Sequence, residues 1–278
     1  MRKIDLTEWI QTGAGVSCLS YFNMTDPSEM IKFMPQGTPT AELEEELEKA
    51  WKVYNLGIST PKPGELVTDG TRPGLLFARI VGKKSYARAI GQMPDRIPEL
   101  AREYGAMTRQ LHSTDCDTSL FPNIKEFYAD LIRRNPYRSD GLKQKAIEMM
   151  NALPDGTKCV HGDLHFGNII RTEKERYFID LGNFCYGNPL FDFGMMEALL
   201  LFGPVTQERF FREFHCSVEQ ATQFWEESLL EYFGNDTDVK KKREEFRIYR
   251  SLRVFTIEAE INERIPEELD EEVFPDFK

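Results

Sequence analysis

The chain has 278 residues, 41% of them hydrophobic, which is enough to bury a sizeable core as one large domain or two lobes. The formal net charge of −11 argues against nucleic acid and anionic membranes as partners. The sequence has no apolar run of membrane-spanning length, a charged N-terminal segment and five scattered cysteines without a CxxC pair, so we expect a cytoplasmic protein with reduced thiols.

The N-terminal region predicts successive strands at residues 8–12, 16–22 and 29–34. Gly13 and Gly15 separate the first two strands. Glycines at such a position let the backbone close over nucleotide phosphates, although a plain hairpin turn explains the same residues on local grounds. Both interpretations stay open from this segment alone.

Lys32 lies in the third of these segments, which is apolar. Strand alternation points its side chain to the same face as Met30 and Met34, where an unpaired ammonium would be unfavourable. Lys32 therefore needs an anion, unless it lies on an edge strand and extends to water.

A helix is predicted over residues 39–57, ending at Gly57. Its apolar face is formed by residues at helical spacing: Leu43, Leu47, Ala50, Val53 and Tyr54. Glu46 lies beside that face and is the best candidate for the partner of Lys32, with Glu45 and Glu42 as alternatives. A Glu-rich helix whose acids only face solvent is the competing interpretation.

A buried strand at residues 74–82 closes the N-terminal part, and the pattern then becomes helical. We therefore expect a boundary near residue 81, with one lobe at residues 1–81 and a second at residues 82–278. Helical stripes are formed by Ile97, Leu100, Tyr104, Met107 and Leu111, and by Leu142, Ala146, Met149 and Leu153.

Two further helices are predicted near the end of the chain. Ser217 and Gln220 have the spacing of a capping box that opens a helix through Leu229. Residues 240–261 predict another helix. The acidic tail from Ile265 onward is expected to be a solvated, partly mobile end.

Residues 159–168, with the sequence CVHGDLHFGN, contain four side chains of ligand-binding type: His161, Asp163, His165 and Asn168. Phosphoryl transfer requires a positioned acceptor hydroxyl and neutralised phosphate charge. In the kinase catalytic loop an Asp meets the hydroxyl and an Asn five residues later holds a metal ion, the interval between Asp163 and Asn168.

A short hairpin is predicted next, with strands at residues 169–170 and 177–179. Asp180 follows the second strand. Asn168 and Asp180 would supply two oxygen ligands, and Mg²⁺ is usually held by a few such ligands together with phosphates and water.

These motifs resemble the signature of the aminoglycoside phosphotransferases and choline kinases, which are small-molecule phosphotransferases with a kinase-like fold. The resemblance is carried by HGDLH at residues 161–165, Gly167-Asn168 and Ile179-Asp180. The later segment from Gly187 to Asp192 is similar to the Gly-Asp-Pro segment of that family, with Asn188 in place of the usual Asp. Leu181 stands where an aromatic residue is frequent.

The resemblance implies an α+β, two-lobed protein-kinase-like fold, with a small antiparallel-sheet N-lobe and a larger, mainly helical C-lobe. It also implies ATP or GTP as donor, Mg²⁺ as cofactor and a small hydroxyl compound as acceptor. The predicted site comprises Asp163 as catalytic residue, Asn168 and Asp180 as metal ligands, Gly13, Gly15, Lys32, Glu46, Phe77 and Arg79 at the nucleotide, and His161, His165 and Asp192 as supporting residues.

Three alternatives remain beside this interpretation. A metal-dependent hydrolase could use His161, Asp163 and His165 as ligands. A nucleotide-binding pseudoenzyme would share the fold without turnover. A protein kinase is disfavoured because His-Arg-Asp, Asp-Phe-Gly and Ala-Pro-Glu do not occur where that class uses them.

We expect the acceptor to be a small amino-bearing alcohol. Asp163 and Asp180 are carboxylates in the predicted site, and further acids follow at Glu258, Glu260, Glu263, Glu267 and Glu268. Such a cluster would attract a cation and repel a phosphorylated substrate, unless the acids only face bulk water.

Overall fold

The computed structural model describes residues 1–14 and 18–275 and divides into two compact units. The first unit contains Met1–Lys84 and Ile169–Gly182, and the second contains Ser85–Asn168 and the chain from Asn183 onward. The boundary predicted near residue 81 would leave the hairpin at residues 169–182 in the C-terminal lobe. The hairpin belongs to the first unit because its backbone is bonded there: Phe178 N donates to Ser59 O at 2.8 Å.

The strands, in chain order, are β1 Arg2–Lys3, β2 Trp9–Ala14, β3 Leu19–Asn23, β4 Glu29–Phe33, β5 Pro63–Thr68, β6 Pro73–Ala78, β7 Lys84–Ser85, β8 Lys158–Val160, β9 Ile169–Arg171, β10 Arg176–Phe178 and β11 Cys185–Gly187. The helices are α1 Thr40–Asn55, α2 Tyr86–Gln92, α3 Ile97–Ser113, α4 Ile124–Arg134, α5 Asp140–Ala152, α6 Phe193–Phe202, α7 Gln207–Phe214, α8 Val218–Phe233, α9 Val239–Glu245, α10 Arg247–Ile261 and α11 Asp270–Val273. Across the described residues, none of these helices is both long enough and apolar enough to cross a lipid bilayer.

The main sheet of the first unit has the strand order β1-β5-β6-β4-β3-β2. Its pairs are antiparallel except β1 with β5, which run parallel. Alternate residues of β4, Ile31 and Phe33, are buried and pack in a core with Trp9 and Val67. The predicted α+β class is confirmed, with the parallel pair at one edge as the difference.

Strand β2 is longer than the sequence indicated. We placed Gly13 and Ala14 in the turn, but both continue the strand, opposite Ser20 and Leu19. A bulge between Gln11 and Gly13 shifts the register, and the antiparallel pairing resumes beyond it. That turn prediction was wrong for these two residues, and Gly15 lies outside the described residues.

Helix α1 confirms the helix predicted from the spacing of apolar residues. Leu43 and Val53 are buried, and the helix packs against β5 and β6. Tyr54, which we assigned to the apolar face, is exposed. The chain turns away at Gly57, whose φ of +79° is in the left-handed region that glycine adopts without strain.

The second unit is mainly helical, and α3 packs along α8. Tyr86, Tyr104 and Phe224 form an aromatic cluster between these helices and α2. The capping box that we predicted for α8 is present, since Ser217 Oγ accepts from Gln220 N and the Gln220 side chain accepts from Ser217 N.

The single helix predicted over residues 240–261 is interrupted at Phe246, which separates α9 from α10. Phe246 is fully buried, with its ring centroid 4.9 Å from that of Phe193 and 6.0 Å from that of Phe233. The aromatic packing therefore holds Phe246 at the junction, and α10 starts anew at Arg247.

The described residues of the tail pack into the core of the second unit, to which they belong. The expectation of a solvated, partly mobile end was wrong for these residues. The apolar residues Ile265, Leu269, Val273 and Phe274 are buried in the main core of this unit. The ring of Phe274 lies 4.8 Å from that of Phe255. The acids of the tail outnumber its apolar residues in the sequence, but burial of the apolar ones decides the position of the segment.

We predict that Phe274→Ala lowers the free energy of unfolding by about 3 kcal/mol, because it removes a buried aromatic ring from the core. Denaturant titration followed by circular dichroism measures this change. Phe211→Ala is the matched control, since the Phe211 side chain is 60% exposed and its loss should change the stability by less than about 0.5 kcal/mol. Equal stability of the two variants would show that the tail does not pack as described.

Candidate active site

In the first unit, Lys32 lies between two carboxylates. Its Nζ is 3.4 Å from Glu46 Oε1 and 3.4 Å from Asp180 Oδ1. Strand β4 is paired on both sides, with β3 and β6, so the edge-strand alternative does not apply. Burial acts to lower the pKa of Lys32, but the negative charges of Asp180 and Glu46 outweigh it and the pKa is raised. The ammonium is therefore charged and held at this position.

The pairing of Lys32 with Glu46 is the one indicated by the spacing on α1. Among the three candidate glutamates, Glu46 is the one whose ion pair with Lys32 the structure shows. One turn of helix separates Glu46 from the buried Leu43, so the packing of α1 against the sheet brings the carboxylate to β4.

Asp180 reaches Lys32 through the β9–β10 hairpin, which forms as predicted. Phe178 pairs with Ile169, and Asp180 follows β10 with a φ of +56°. Aspartate is one of the few residues other than glycine that adopt this conformation. Just beyond it, Lys49 Nζ donates to Gly182 O at 2.5 Å, which ties the end of the hairpin to α1.

Phe77 and Arg79, assigned to the nucleotide by resemblance, lie at the end of β6. Phe77 pairs with Met30 across the sheet. Arg79 N donates to Ser28 O at 2.6 Å, and its guanidinium lies 3.7 Å from the centroid of the Phe22 ring. The Arg79 side chain thus packs on the β3–β4 hairpin, and its contact with nucleotide stays a prediction, as does that of Gly13 and Gly15.

In the second unit, the buried carboxylate of Asp192 anchors the turn before Asp163. It accepts hydrogen bonds from His161 N at 2.7 Å and Gly162 N at 2.8 Å, and Nε2 of His112 lies 2.9 Å from it. His112 Nδ1 lies 3.0 Å from the Tyr232 hydroxyl, so α3 and α8 both support the turn. We predicted Asp192 as a supporting residue, but His112 was not assigned to the site.

Any side chain at position 162 would force this turn to move. The φ of Gly162 is +81°, and an added Cβ would collide with the carbonyl oxygen of Asn183. The residue before Asp163 therefore has two independent reasons to be glycine.

Asp163 and Asn168 are in direct contact, as kinase-like spacing requires. Asn168 Nδ2 donates to Asp163 O at 2.9 Å and to its Oδ2 at 3.0 Å, and Arg253 Nη2 donates to Oδ1 at 2.8 Å. Burial acts to raise the pKa of Asp163, but the Arg253 guanidinium, with the nearby histidines, outweighs it and the pKa is lowered. The carboxylate is therefore ionised, with one donor on each oxygen.

The two histidines of the motif shape the loop through their ring nitrogens. Asp163 N donates to His161 Nδ1 at 3.3 Å, and Gly167 N donates to His165 Nδ1 at 3.0 Å. The rings of Phe166 and Phe214 pack against His165. Within the part of the chain that the structure describes, no group of three or more His, Cys, Asp or Glu side chains is arranged to hold a metal ion, which the hydrolase alternative would need.

Arg253 is the residue of this site that the sequence analysis missed. It is buried on α10, between the apolar residues Leu252 and Val254. A charged residue inside a buried stretch of helix requires a partner, and this was the signal available in the sequence. The partner, Asp163, lies too far along the chain for any local pattern to identify it.

Several acids that we used to predict a cationic acceptor have arginine partners. Glu258 pairs with Arg138, Glu260 with Arg253, Glu263 with Arg209 and Glu267 with Arg264. Each arginine offsets the field of its partner. Asp163 and Asp180 also have cationic partners, Arg253 and Lys32. The local field that favours a cation is therefore weaker than the sequence indicated.

The donor atoms of the two predicted metal ligands fit Mg²⁺, which prefers oxygen. The amide nitrogen of Asn168 is used by Asp163, which leaves its amide oxygen as the atom for a ligand. Asp180 has a half-exposed carboxylate whose Oδ1 is shared with Lys32.

A model of the phosphotransferase enzyme family known as APH matches residues 8–225, which includes Lys32, Asp163 and Asp180. This chain belongs to that family. No curated protein sequence matches it.

Solved structures show the fold of this phosphotransferase family member. Amicoumacin kinase, in complex with AMP-PNP, Ca²⁺ and Ami, is 16% identical and matches over 99% of this chain and 88% of its own, with a TM-score of 0.60. The ADP-bound aminoglycoside phosphotransferase APH(2'')-Ib is 17% identical over 97% and 91%, with a TM-score of 0.58. A choline/ethanolamine kinase family protein from Mesorhizobium loti is 16% identical over 90% and 77%, with a TM-score of 0.54. The predicted kinase-like fold is confirmed.

We predict that Gly162→Ala destabilises the protein by more than about 1 kcal/mol, because the alanine side chain meets Asn183 and the left-handed backbone disfavours it. Thermal and denaturant unfolding measure the change. Gly141→Ala is the control: Gly141 lies in α5 with nothing near the added Cβ, so this variant should be as stable as the parent or more stable by up to about 1 kcal/mol. A Gly162→Ala protein that is as stable as Gly141→Ala would contradict the described turn.

Proposed function

We propose that this protein transfers the γ-phosphate of ATP or GTP to a hydroxyl group of a small molecule, with Mg²⁺ as cofactor. The observation that carries the proposal is the environment of Asp163, whose ionised carboxylate is oriented by Asn168 and Arg253 in a turn anchored by Asp192. An ionised, oriented carboxylate of this kind can accept the hydrogen bond of a hydroxyl, which favours turnover over the pseudoenzyme alternative.

In this proposal the first unit binds the nucleotide. Lys32, kept charged by Glu46 and Asp180, contacts the phosphates, as the strand lysine does in kinases. Gly13 and Gly15 close over the phosphates, and Phe77 and Arg79 lie beside the base. The ion pair with Glu46 keeps the ammonium in place before the nucleotide arrives, so little ordering is needed on binding.

Asp163 accepts the hydrogen bond of the acceptor hydroxyl and takes its proton as the phosphoryl group is transferred. Its lowered pKa makes it a weak base, which suits a reaction in which catalysis consists mainly of positioning and charge stabilisation. Asn168 and Arg253 each occupy one carboxylate oxygen, so the remaining lone pairs point in fixed directions for the hydroxyl.

Asn168 and Asp180 would hold Mg²⁺ through their side-chain oxygens. When bound, the ion neutralises charge on the nucleotide phosphates. The Asn168 side chain also donates to the Asp163 carboxylate. Asn168 would therefore bind the metal ion with its oxygen and orient the catalytic base with its nitrogen.

We propose an amino-bearing alcohol as the acceptor and the cytoplasm, where ATP and GTP are supplied, as the location. The net charge of −11 favours a cationic over an anionic acceptor, and Asp163 and Asp180 contribute to it although each has a cationic partner. Amicoumacin kinase, one of the structures with this fold, has Ami as its bound small molecule.

We predict that Asp163→Asn lowers kcat by a factor of about 10² to 10⁴, because it removes the positioned base, while Mg²⁺·ATP still binds. ADP formation measures turnover, and calorimetry with and without Mg²⁺ measures nucleotide binding. Asp130→Asn, which changes a half-exposed surface ion pair with Arg134, is the control and should keep full activity. Normal turnover of Asp163→Asn, or equal ATP affinity without Mg²⁺, would contradict the assignment.

We predict that an amino-bearing alcohol gives the highest kcat/KM in a panel of amino sugars, choline-like amines, aminoglycosides, neutral sugars and nucleosides. Added salt should lower kcat/KM for that substrate, because screening weakens the attraction of a cation. Each amine is compared with its neutral hydroxyl analogue at low and high salt. A preferred substrate that already carries phosphate, or a kcat/KM that rises with salt, would exclude a cationic acceptor.

A further inference from the structure

We propose that Arg253 is a positioning residue of this phosphotransferase, which fixes the Asp163 carboxylate and connects it to a ring of contacts closed through Glu260 and Asn183. The inference rests on the proposed function of Asp163. It assigns a role to a residue that lies beyond the matched family region, which ends at residue 225.

The guanidinium of Arg253 forms hydrogen bonds with two carboxylates, one through each terminal nitrogen. Nη2 donates to Asp163 Oδ1 at 2.8 Å, and Nη1 donates to Glu260 Oε2 at 2.7 Å and to Thr256 Oγ1 at 2.6 Å. The planar fork of arginine can serve both carboxylates at once with fixed geometry, which a lysine cannot do.

The ring continues from Glu260 back to the turn before Asp163. Asn183 Nδ2 donates to Glu260 Oε1 at 2.9 Å, and the Asn183 carbonyl oxygen packs directly against Gly162. Asp163 follows Gly162 in the chain. The catalytic turn is thus held at two neighbouring residues, and both attachments lead to α10.

Arg253 positions Asp163 but does not contact the acceptor, because its side chain is only 3% exposed, whereas that of Asp163 is 25% exposed. The accessible part of the Asp163 carboxylate is left for the hydroxyl.

Arg138 offers a matched comparison within the same unit. Its side chain is 4% exposed, and it forms a buried ion pair with Glu258, which like Glu260 lies on α10. Asp270 is its second carboxylate partner, so Arg138 also bridges two acids. Within the described residues, its ion pairs are with Glu258 and Asp270 and not with Asp163. A change at Arg138 therefore measures the loss of a buried arginine without freeing Asp163.

The first experiment compares Arg253→Met, Arg253→Lys and Arg253→Gln with Arg138→Met. For each variant, ADP formation from Mg²⁺·ATP is measured with the panel alcohol that the parent enzyme uses best, along with ATP affinity by calorimetry and thermal unfolding. We expect Arg253→Met to lower kcat about 10²-fold, the loss typical of a misplaced reacting group, with ATP affinity changed less than about threefold. Arg253→Lys should recover part of the loss. Arg138→Met should unfold at a lower temperature but keep kcat within about threefold.

The second experiment is a double-mutant cycle with Asp163→Asn. If Arg253 acts through Asp163, Arg253→Met should lower kcat by less than about threefold when Asp163 is already changed. Losses that multiply would show that Arg253 acts independently of Asp163 and would overturn the inference. If Arg253→Met does not fold, Arg253→Lys takes its place in the cycle, with the same criterion.

The outcomes separate this inference from the function on which it rests. An active parent enzyme with normal kcat in the folded Arg253 variants would overturn the role of Arg253 alone. A parent enzyme that forms no ADP with any panel alcohol would overturn the proposed function, and the positioning role with it.

Discussion

The site of the second unit depends on the hydrogen bonds that the buried Asp192 carboxylate forms with the turn before Asp163. A carboxylate without donors in a protein interior is strongly unfavourable, so its environment must supply them. The backbone amides of His161 and Gly162 and the ring of His112 do so, from a turn and from α3. The chain between β8 and Asp163 is therefore constrained before any substrate is present, and the direction of the Asp163 side chain follows from that constraint.

Helix α10 adds a second constraint through charge. Its buried residues include Arg253 and Glu258, and each is paired with a group from a distant part of the chain, Asp163 and Arg138. Breaking such a pair leaves an uncompensated charge in a region of low polarity, so the partners must stay together. The helix thus contributes to the apolar core and to the arrangement of the charged groups at the same time.

Features that depend on short intervals could be predicted from the sequence. The contact of Asp163 with Asn168 spans one loop, the hairpin that carries Asp180 follows directly, and helical periodicity selected Glu46 for Lys32. These relations are set by local backbone geometry, which leaves few alternatives.

Features that depend on distant contacts could not be predicted. Arg253 meets Asp163 only after α10 has packed, and the arginine partners of the late glutamates come from other elements. The acidic tail was misjudged for a related reason. Its charges dominate the composition, whereas Val273 and Phe274 decide its position by burial.

The discontinuity of the first unit has a consequence for how the protein is made. Lys32 forms an ion pair with Asp180, and Ser59 O accepts a hydrogen bond from Phe178 N of β10. Both partners belong to a hairpin that lies far downstream of the sheet in the sequence. A ribosome that has just completed Lys84 has therefore produced a unit that still lacks two of its strands. At bacterial or eukaryotic elongation rates of about 5–20 residues per second, the missing segment follows on the order of 10 s later. Until then Lys32 lacks one of its two carboxylate partners, and Ser59 O lacks the donor from β10. The first unit therefore reaches its final structure only after much of the second unit has been synthesised.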